Sequence, residues 1–458
     1  MKSYYTEGMK SFCESLFSNS KVSVIGKPIT DLSEYIKNKF EHSNCITECK
    51  GKISRIYIKK DDVDCLIIEI KRDYLSFSKN EKKILGNIPI SINKSGFDWN
   101  QTRSEKATQS LLTRIAIPYV IISIFLRAAT APTLDTINRI IMLIEELTNK
   151  KYEGDKCTSG IIYTSEINYT IQILNKQLDY QFIKFDNPID FEDSFFDKPA
   201  SYRYVDGKNI FYLVSNLSKV YGIVKIHNPY QYSLIERLSG NHISKLIDSF
   251  PGRSWIAYNG INDDVCIYKK GNFSFSLNNN KWYYFDYENF ELILQKYGIN
   301  SSVIPLIIKL CISLSKLHKG SLILFPYRNN DIPEITGYID ETEIASSIKN
   351  IFKKMKFEEL FASKILLNLL SSDGLSIFSK SGSFIDAGLI IDLSSEINST
   401  INTSLDDFID NQQPIEKIYG GGRTQSALVT SQYGLCIKIS EDGPISVFYK
   451  KHCIYKIF

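Results

Sequence analysis

The spacing of apolar residues in the first part of the chain combines two periods. Residues 102–126 and 134–147 carry apolar side chains at intervals of three and four, which predicts helices. Residues 53–58 and 65–70 alternate apolar and polar side chains on either side of a Lys-Asp-Asp turn, which predicts two half-buried strands. We therefore predict an N-terminal α/β domain over residues 1–195.

Short strand patterns replace this mixture after an acidic, turn-rich stretch at residues 191–199. Turn sequences such as Asn259-Gly260 and Lys270-Gly271 separate them, and such pairs favour hairpins. The predicted strands cover residues 209–214, 221–226, 255–258, 265–269, 272–277 and 281–285. We interpret residues 196–285 as a β-rich connecting segment.

Helical and strand patterns alternate again over residues 286–458. The predicted helices cover residues 288–295, 303–317, 341–354 and 357–370, and the predicted strands cover residues 321–325, 375–379, 384–392, 436–439 and 445–449. The fold class expected for the chain is therefore α/β (α+β). A mixed-sheet C-terminal domain flanked by helices follows a separate N-terminal α/β domain and a β-rich middle segment.

The composition is that of a folded, globular protein. Of its 458 residues 23% are charged and 43% are hydrophobic. The formal net charge of +4 gives no support for nucleic acid as a partner. The most apolar window, residues 115–126, is too short to cross a bilayer, so no membrane partner is expected. Nine scattered cysteines and the absence of an apolar segment in the first residues favour a cytoplasmic location.

Glycines and polar residues stand beside several predicted strands of the C-terminal domain. Gly320 and the pair Asp373-Gly374 each precede a strand, and a run of three glycines ends at Gly422, beside Arg423. Glycine lets backbone amides approach a phosphate closely, and a guanidinium can hold a phosphate with two hydrogen bonds. These blocks predict a phosphate-binding site.

In order and spacing, the blocks resemble the diadenylate cyclase (DAC) domain, the nucleotide-cyclising module of the DNA-integrity scanning protein and its membrane-bound relatives. The family's motifs are Gly-Ala-Leu-Ile, Asp-Gly-Ala, a strand with small residues and an apolar pair, Gly-Thr-Arg-His-Arg-Ala-Ala, and Ser-Glu-Glu-Thr-Gly. The matching stretches here are Gly320-Ser321-Leu322-Ile323, Asp373-Gly374-Leu375, Asp386-Ala387-Gly388-Leu389-Ile390, Gly421-Gly422-Arg423-Thr424-Gln425-Ser426-Ala427 and Ser440-Glu441-Asp442-Gly443. The resemblance covers roughly residues 290–458.

The resemblance implies a nucleotide-binding protein of second-messenger signalling that takes ATP or a related cyclic dinucleotide, with a sensory or regulatory domain before it. Asp373 matches the residue that lies by the ribose 3′-hydroxyl and a divalent metal, Mg²⁺ or Mn²⁺, so it is the expected catalytic and metal-binding residue. The expected nucleotide-binding residues are Gly320, Ser321, Leu322, Asp373, Gly374, Leu389, Gly421, Gly422, Arg423, Thr424, Gln425 and Glu441. Because the family joins two ATP-loaded sites, a homo-oligomer is also implied.

One motif departs from the family's pattern, since Arg-His-Arg is replaced by Arg423-Thr424-Gln425. Losing one charge-assisted phosphate contact weakens a site by about 1.5–3 kcal/mol. Threonine and glutamine can still donate hydrogen bonds. We therefore expect nucleotide binding, with cyclisation of two ATP molecules to cyclic di-AMP as the alternative. Ser321 and Leu375 replace family alanines and are expected to change the pocket wall.

The N-terminal domain offers an alternative of another class, a metal-dependent nuclease. Asp64, Glu69 and Lys71 lie in or directly beside the predicted strand at 65–70, and restriction-type nucleases use a Glu-x-Lys strand with a preceding acid to bind metal and position water. Arg103 and Gln109 on the next predicted helix could serve such a site. A plain solvent-facing strand explains the same residues. Separately, Cys45-x3-Cys49 near His42 has no second ligand pair at zinc-finger spacing.

Overall fold

The computed structural model describes residues 10, 13–17, 19–41, 43, 45–59, 63–94, 131–227, 232–259, 265–270, 273–278, 281–339, 342–362, 364–371, 373–394, 402–409 and 421–457. The predicted helix at residues 102–126, with Arg103 and Gln109, lies outside these ranges, as does His42. The chain divides into two compact units. The first comprises Met1–Pro229 and His242–Phe285, and the second comprises Tyr230–Asn241 and Asp286–Phe458.

The first unit begins with an antiparallel sheet of four strands in the order β1-β4-β3-β2. The strands are β1 (Ser20–Pro28), β2 (Cys45–Lys50), β3 (Ile53–Lys59) and β4 (Asp64–Arg72). Alternation explains β4, because Ile68 and Ile70 are fully buried while Glu69 and Lys71 are more exposed. The strands predicted at 53–58 and 65–70 are confirmed.

The first unit also contains an eight-stranded sheet, in the order β14-β13-β12-β11-β7-β9-β10-β8. Its strands are β7 (Gly160–Thr164), β8 (Tyr180–Asp190), β9 (Ile210–Ser215), β10 (Lys219–Ile226), β11 (Trp255–Asn259), β12 (Val265–Lys269), β13 (Phe273–Asn278) and β14 (Lys281–Tyr284); β5 (Lys151–Tyr152) and β6 (Asp155–Lys156) pair separately. The predicted boundary between residues 195 and 196 falls inside this sheet. β7 lies between β9 and β11, so long-range pairing joins segments that local pattern separates.

The second unit contains a mixed sheet of seven strands in the order β16-β18-β17-β15-β19-β20-β21. The strands are β15 (Ser321–Pro326), β16 (Ile335–Tyr338), β17 (Leu375–Phe378), β18 (Phe384–Ile391), β19 (Gly434–Ile439), β20 (Ile445–Tyr449) and β21 (His452–Ile457). Only β15 and β17 pair in parallel among these described strands. The expected fold class, a mixture of helices and mixed sheets, is confirmed.

The helices predicted at 134–147, 288–295, 303–317 and 341–354 form with similar bounds, whereas several others, such as Lys79–Lys94 and Ile167–Lys176, have no counterpart among the predicted elements. Those up to residue 248 are α1 (Glu34–Phe40), α2 (Lys79–Lys94), α3 (Ala131–Thr148), α4 (Ile167–Lys176), α5 (Ala200–Arg203), α6 (Leu234–Ser239) and α7 (Asn241–Asp248), with a 3-10 turn at Ile29–Asp31. The later helices are α8 (Tyr287–Tyr297), α9 (Ile304–Lys316), α10 (Glu343–Phe352), α11 (Phe357–Ala362), α12 (Lys364–Leu370), α13 (Asp406–Ile409) and α14 (Gly422–Thr430). None of the helices in the described ranges has the length and apolar character needed to cross a membrane.

Helix α14 packs on the central strands of the second unit and thereby positions its own first turn. Ala427 and Leu428 of α14 share an apolar core with Leu322 of β15 and Cys436 of β19. This core fixes α14 across the face of the sheet, with its N-terminal residues at one edge.

Candidate functional site

Four chain segments meet at one edge of the seven-stranded sheet. β15 and β17 run in parallel, with Leu322 opposite Leu375, so the residues that precede them, Gly320 and Asp373, lie at the same edge. β19 runs antiparallel to β15 and ends with Ile439 opposite Ser321, which brings the following loop to this edge as well. The first turn of α14 supplies the fourth segment.

Arg423 joins these segments. Its Nη2 donates to Oδ1 of Asp373 at 2.5 Å, and its Nη1 donates to Oε1 of Glu441 at 3.0 Å. The guanidinium also lies directly against Gly320, where an added Cβ would be 1.9 Å from Nη1. Glycine is therefore required at position 320 for this arrangement. The structure thus brings together three residues that are far apart in sequence, namely Gly320, Asp373 and Arg423.

The side chains of this cluster differ in exposure. The Arg423 side chain is 27% exposed, whereas those of Asp373 and Glu441 are 73% and 69% exposed. Partial burial acts to lower the pKa of Arg423, but hydrogen bonds to Asp373 and Glu441 outweigh it and leave that pKa above its ordinary value. The guanidinium stays charged, and its two partners face solvent, where an anionic ligand can replace them.

The Glu441 loop is held by the end of α9. Oγ of Ser315 donates to the carbonyl oxygen of Gly443 at 2.5 Å. Nδ1 of His318 lies 3.0 Å from the carbonyl oxygen of Glu441, and His318 itself has a positive φ of 51°. These contacts hold the loop near Arg423.

An apolar pocket of about 240 Å³ opens beside Arg423. Its walls come from β15, β17, β18, the segments that flank them and α14, through Leu322, Ile339, Gly374, Leu375, Leu389, Ile390, Ile391, Leu393, Arg423 and Ser426. Gly374 has a φ of +102°, and an added Cβ would be 2.9 Å from the backbone of Gly388, so only glycine allows this approach. The pocket combines an apolar interior with one cationic wall, which suits a flat ring attached to an anionic group.

Besides those at Arg423, some of the expected nucleotide-binding residues line the pocket and others lie at the start of α14. Gly374 and the side chains of Leu322 and Leu389 line the pocket, as does Leu375. Gly421 and Gly422 are exposed at the start of α14, where no side chain caps the first turn. A helix N-terminus of this kind presents free amides to an anion.

Ser321 and Thr424 do not line the pocket. Residues alternate along β15, so Ser321 faces the side of the sheet opposite Leu322, and its hydroxyl is buried without a hydrogen-bond partner among the described residues. The expectation that Ser321 changes the pocket wall is therefore wrong. Thr424 is only 7% exposed, and its Oγ1 accepts a hydrogen bond from Nζ of Lys438 at 2.8 Å. Gln425 is partly exposed.

Sequence reasoning missed Lys438. The residue lies in β19 directly opposite Leu322, so its side chain is on the face of the sheet that carries the pocket. The available signal was its spacing within the strand. Lys438 follows Cys436 by two positions and so shares its face, in a strand that is otherwise almost entirely buried. A charged residue at such an inward-facing position is unusual and marks a functional candidate.

The described residues contain no group of three or more His, Cys, Asp or Glu side chains placed to hold a metal ion. Asp373 and Glu441 nevertheless fit a divalent cation that arrives with phosphates. Mg²⁺ is often held by one or two carboxylates together with substrate phosphates. Each carboxylate gives one oxygen to Arg423 and keeps its second oxygen for such a role.

The residues of the nuclease alternative do not assemble in the first unit. Asp64 and Glu69 are five positions apart in β4, which places them on opposite faces of the sheet. Glu69 is already bonded by Nε of Arg55 at 2.7 Å. Lys71 shares the face of Glu69 but is exposed.

Comparison of the chain with protein-family models, with curated proteins and with solved structures found no match.

Proposed function

We propose that the second unit is a DAC-like nucleotide-binding module of second-messenger signalling, which takes ATP or a related cyclic dinucleotide. The observation that carries the proposal is the meeting of Gly320, Asp373, Arg423 and Glu441 beside an apolar pocket. These residues lie in separate stretches that resemble motifs of the DAC family, and their contacts depend on strand pairing between distant parts of the chain.

In this proposal the base enters the apolar pocket between Leu322 and Leu389, which excludes water from its faces. The phosphate next to the ribose then reaches Arg423, whose guanidinium exchanges its carboxylate partners for phosphate oxygens. The uncapped amides at Gly422 add hydrogen bonds to the same anion.

Release from Arg423 leaves Asp373 free to accept a hydrogen bond from the ribose 3′-hydroxyl. A carboxylate so placed can take the proton when that oxygen attacks the α-phosphorus of the ATP in a second site, where the bond to the β-phosphate breaks and pyrophosphate leaves. A divalent cation bound with the phosphates by Asp373 and Glu441 would supply charge neutralisation. Turnover to cyclic di-AMP is the alternative within this proposal, because Thr424 is turned towards Lys438 and Arg423 is the remaining arginine of the family's Arg-His-Arg motif.

Titration calorimetry with ATP and with cyclic di-AMP tests binding. We expect wild type to bind at least one of them, and Arg423→Ala to weaken that binding by about 10- to 100-fold, since a charge-assisted contact contributes about 1.5–3 kcal/mol. Arg328→Ala is the matched control, because Arg328 is exposed after the opposite end of β15. Absence of binding to both ligands by wild type would refute the proposal.

Incubation with ATP and Mn²⁺ distinguishes a sensor from a cyclase. Formation of cyclic di-AMP by wild type and its loss in Asp373→Ala would establish the enzyme, while binding without product would establish a sensor. Because cyclisation joins two loaded sites, a cyclase should also sediment as a dimer or larger assembly when ATP is present.

A further inference from the structure

Lys438 is a cation placed one strand beyond the nucleotide pocket. It lies in β19 opposite Leu322, which lines the pocket from β15. Neighbouring strands are about 4.8 Å apart. Its Nζ donates to Oγ1 of Thr424, the residue that follows Arg423 in the first turn of α14. Lys438 and Arg423 therefore lie on two sides of the same helix turn.

The ammonium of Lys438 has spare hydrogen-bonding capacity. It carries three donors, and within the described part of the chain its bond to Thr424 is its only hydrogen bond or ion pair. The side chain is partly buried. A partly buried cation in this state lacks both full hydration and a close counter-charge, which is unfavourable in the free protein.

Lys438 has a second lysine on its own face of the sheet. Ser446 separates Lys438 from Lys456 on the same face of β19, β20 and β21. Burial lowers the pKa of Lys438 most, and nearby Lys456 lowers it further. Asp442 and Cys453 partly oppose this, and Arg423 adds the smallest effect, which again lowers the pKa. An anion beside Lys438 would relieve the desolvation and the repulsion between like charges.

We propose that Lys438 is a second phosphate-binding residue, which holds the distal phosphate of a ligand whose first phosphate is bound by Arg423. The ligand class is then a nucleotide with at least two phosphates, one for each cation. This inference rests on the proposed function. It gives the site a second cation, where the DAC family's motif has a histidine and an arginine after the residue that matches Arg423.

Calorimetric titration of the full-length chain with AMP, ADP and ATP at constant Mg²⁺ tests the role of Lys438. Wild type should bind ATP about 10-fold or more tightly than AMP, the range of one charge-assisted contact. Lys438→Met should remove this preference and leave the affinity for AMP within about twofold of wild type. Lys438→Arg should retain the preference, since the charge remains. Lys364→Met, at an exposed lysine of α12, is the matched control.

A structural role for Lys438 gives a different result. If Lys438 only positions α14 through Thr424, Lys438→Met will weaken AMP and ATP by the same factor, and the inference is overturned. An unchanged preference for ATP overturns it as well, while the proposed function stands. Failure of wild type to bind any of the three nucleotides also overturns the inference, and the proposed function is refuted only if cyclic di-AMP fails to bind as well. Thermal unfolding of free Lys438→Met should occur at or above the wild-type temperature, because an unfavourable buried charge has been removed.

Discussion

Gly320→Ala perturbs the candidate site through a single methyl group. The added Cβ would be 1.9 Å from Nη1 of Arg423 and 2.4 Å from its Cζ, whereas real Cβ contacts essentially never fall below 3.0 Å. The guanidinium must therefore retreat by about 1 Å or more. Its bond to Asp373 at 2.5 Å and its bond to Glu441 at 3.0 Å cannot both survive that movement.

The cost to folding should be small. The atoms in conflict are the end of a flexible side chain, and φ at Gly320 lies outside the left-handed region. Exposed ion pairs contribute about 0–1 kcal/mol each. Replacing glycine by alanine restricts the unfolded chain, which stabilises the folded protein by about 0.4–1 kcal/mol. The free energy of unfolding should thus stay within about 1 kcal/mol of wild type.

The cost to binding should be larger. Arg423 is the cation that grips the first phosphate in our proposal, and loss of such a contact weakens binding by about 1.5–3 kcal/mol, or about 10- to 100-fold. Urea unfolding measures the free energy of unfolding, and calorimetry with ATP or cyclic di-AMP measures the binding affinity. Gly86→Ala in α2 is the control, since its added Cβ meets nothing within 4 Å.

Two results would contradict this reasoning. Wild-type affinity in Gly320→Ala would show that the position of Arg423 against Gly320 does not matter for the ligand. A loss of more than about 3 kcal/mol in unfolding free energy would show that the backbone, and not a mobile side chain, takes up the conflict.

Three further predictions concern side-chain packing inside each unit taken separately. Gly434→Ala should lower the unfolding free energy by about 2–3 kcal/mol in urea, because the new Cβ would be 2.2 Å from the carbonyl oxygen of Phe325, a backbone atom that cannot step aside; a neutral result would contradict this. Glu81→Gln should cost about 3–5 kcal/mol by leaving Arg72 charged and buried, and adding Arg72→Met should recover most of it in a double-mutant cycle; a small single-mutant effect would argue against a buried pair. Burial raises the pKa of Cys13 to about 12, so the thiol remains protonated at pH 8 and iodoacetamide should label it only after denaturation, as peptide mass spectrometry can show. Native labelling at the rate of a free thiol would exclude that burial.

Local pattern predicted most elements of the second unit. The helix predicted at 303–317 is Ile304–Lys316, and the strand predicted at 321–325 is Ser321–Pro326. These succeeded because side-chain periodicity is a local property of a segment that buries one face. The boundary predicted at residue 195 falls within one sheet, because β7 pairs with β9 and β11 from later parts of the chain, and local periodicity carries no information about such pairing.

The candidate site shows the same division between local and long-range information. The sequence by itself determined where glycine and charge stand relative to each strand, and hence that Gly320, Asp373 and Arg423 were candidates for one site. Only the tertiary structure decided that the guanidinium bonds Asp373 and Glu441, because this contact depends on β15 and β17 being parallel neighbours. Register also decided the direction of single side chains, turning Ser321 away from the pocket and bringing Lys438 to its face. Strand order and register arise from hydrogen bonds between residues far apart in sequence, which the pattern of any one segment does not contain.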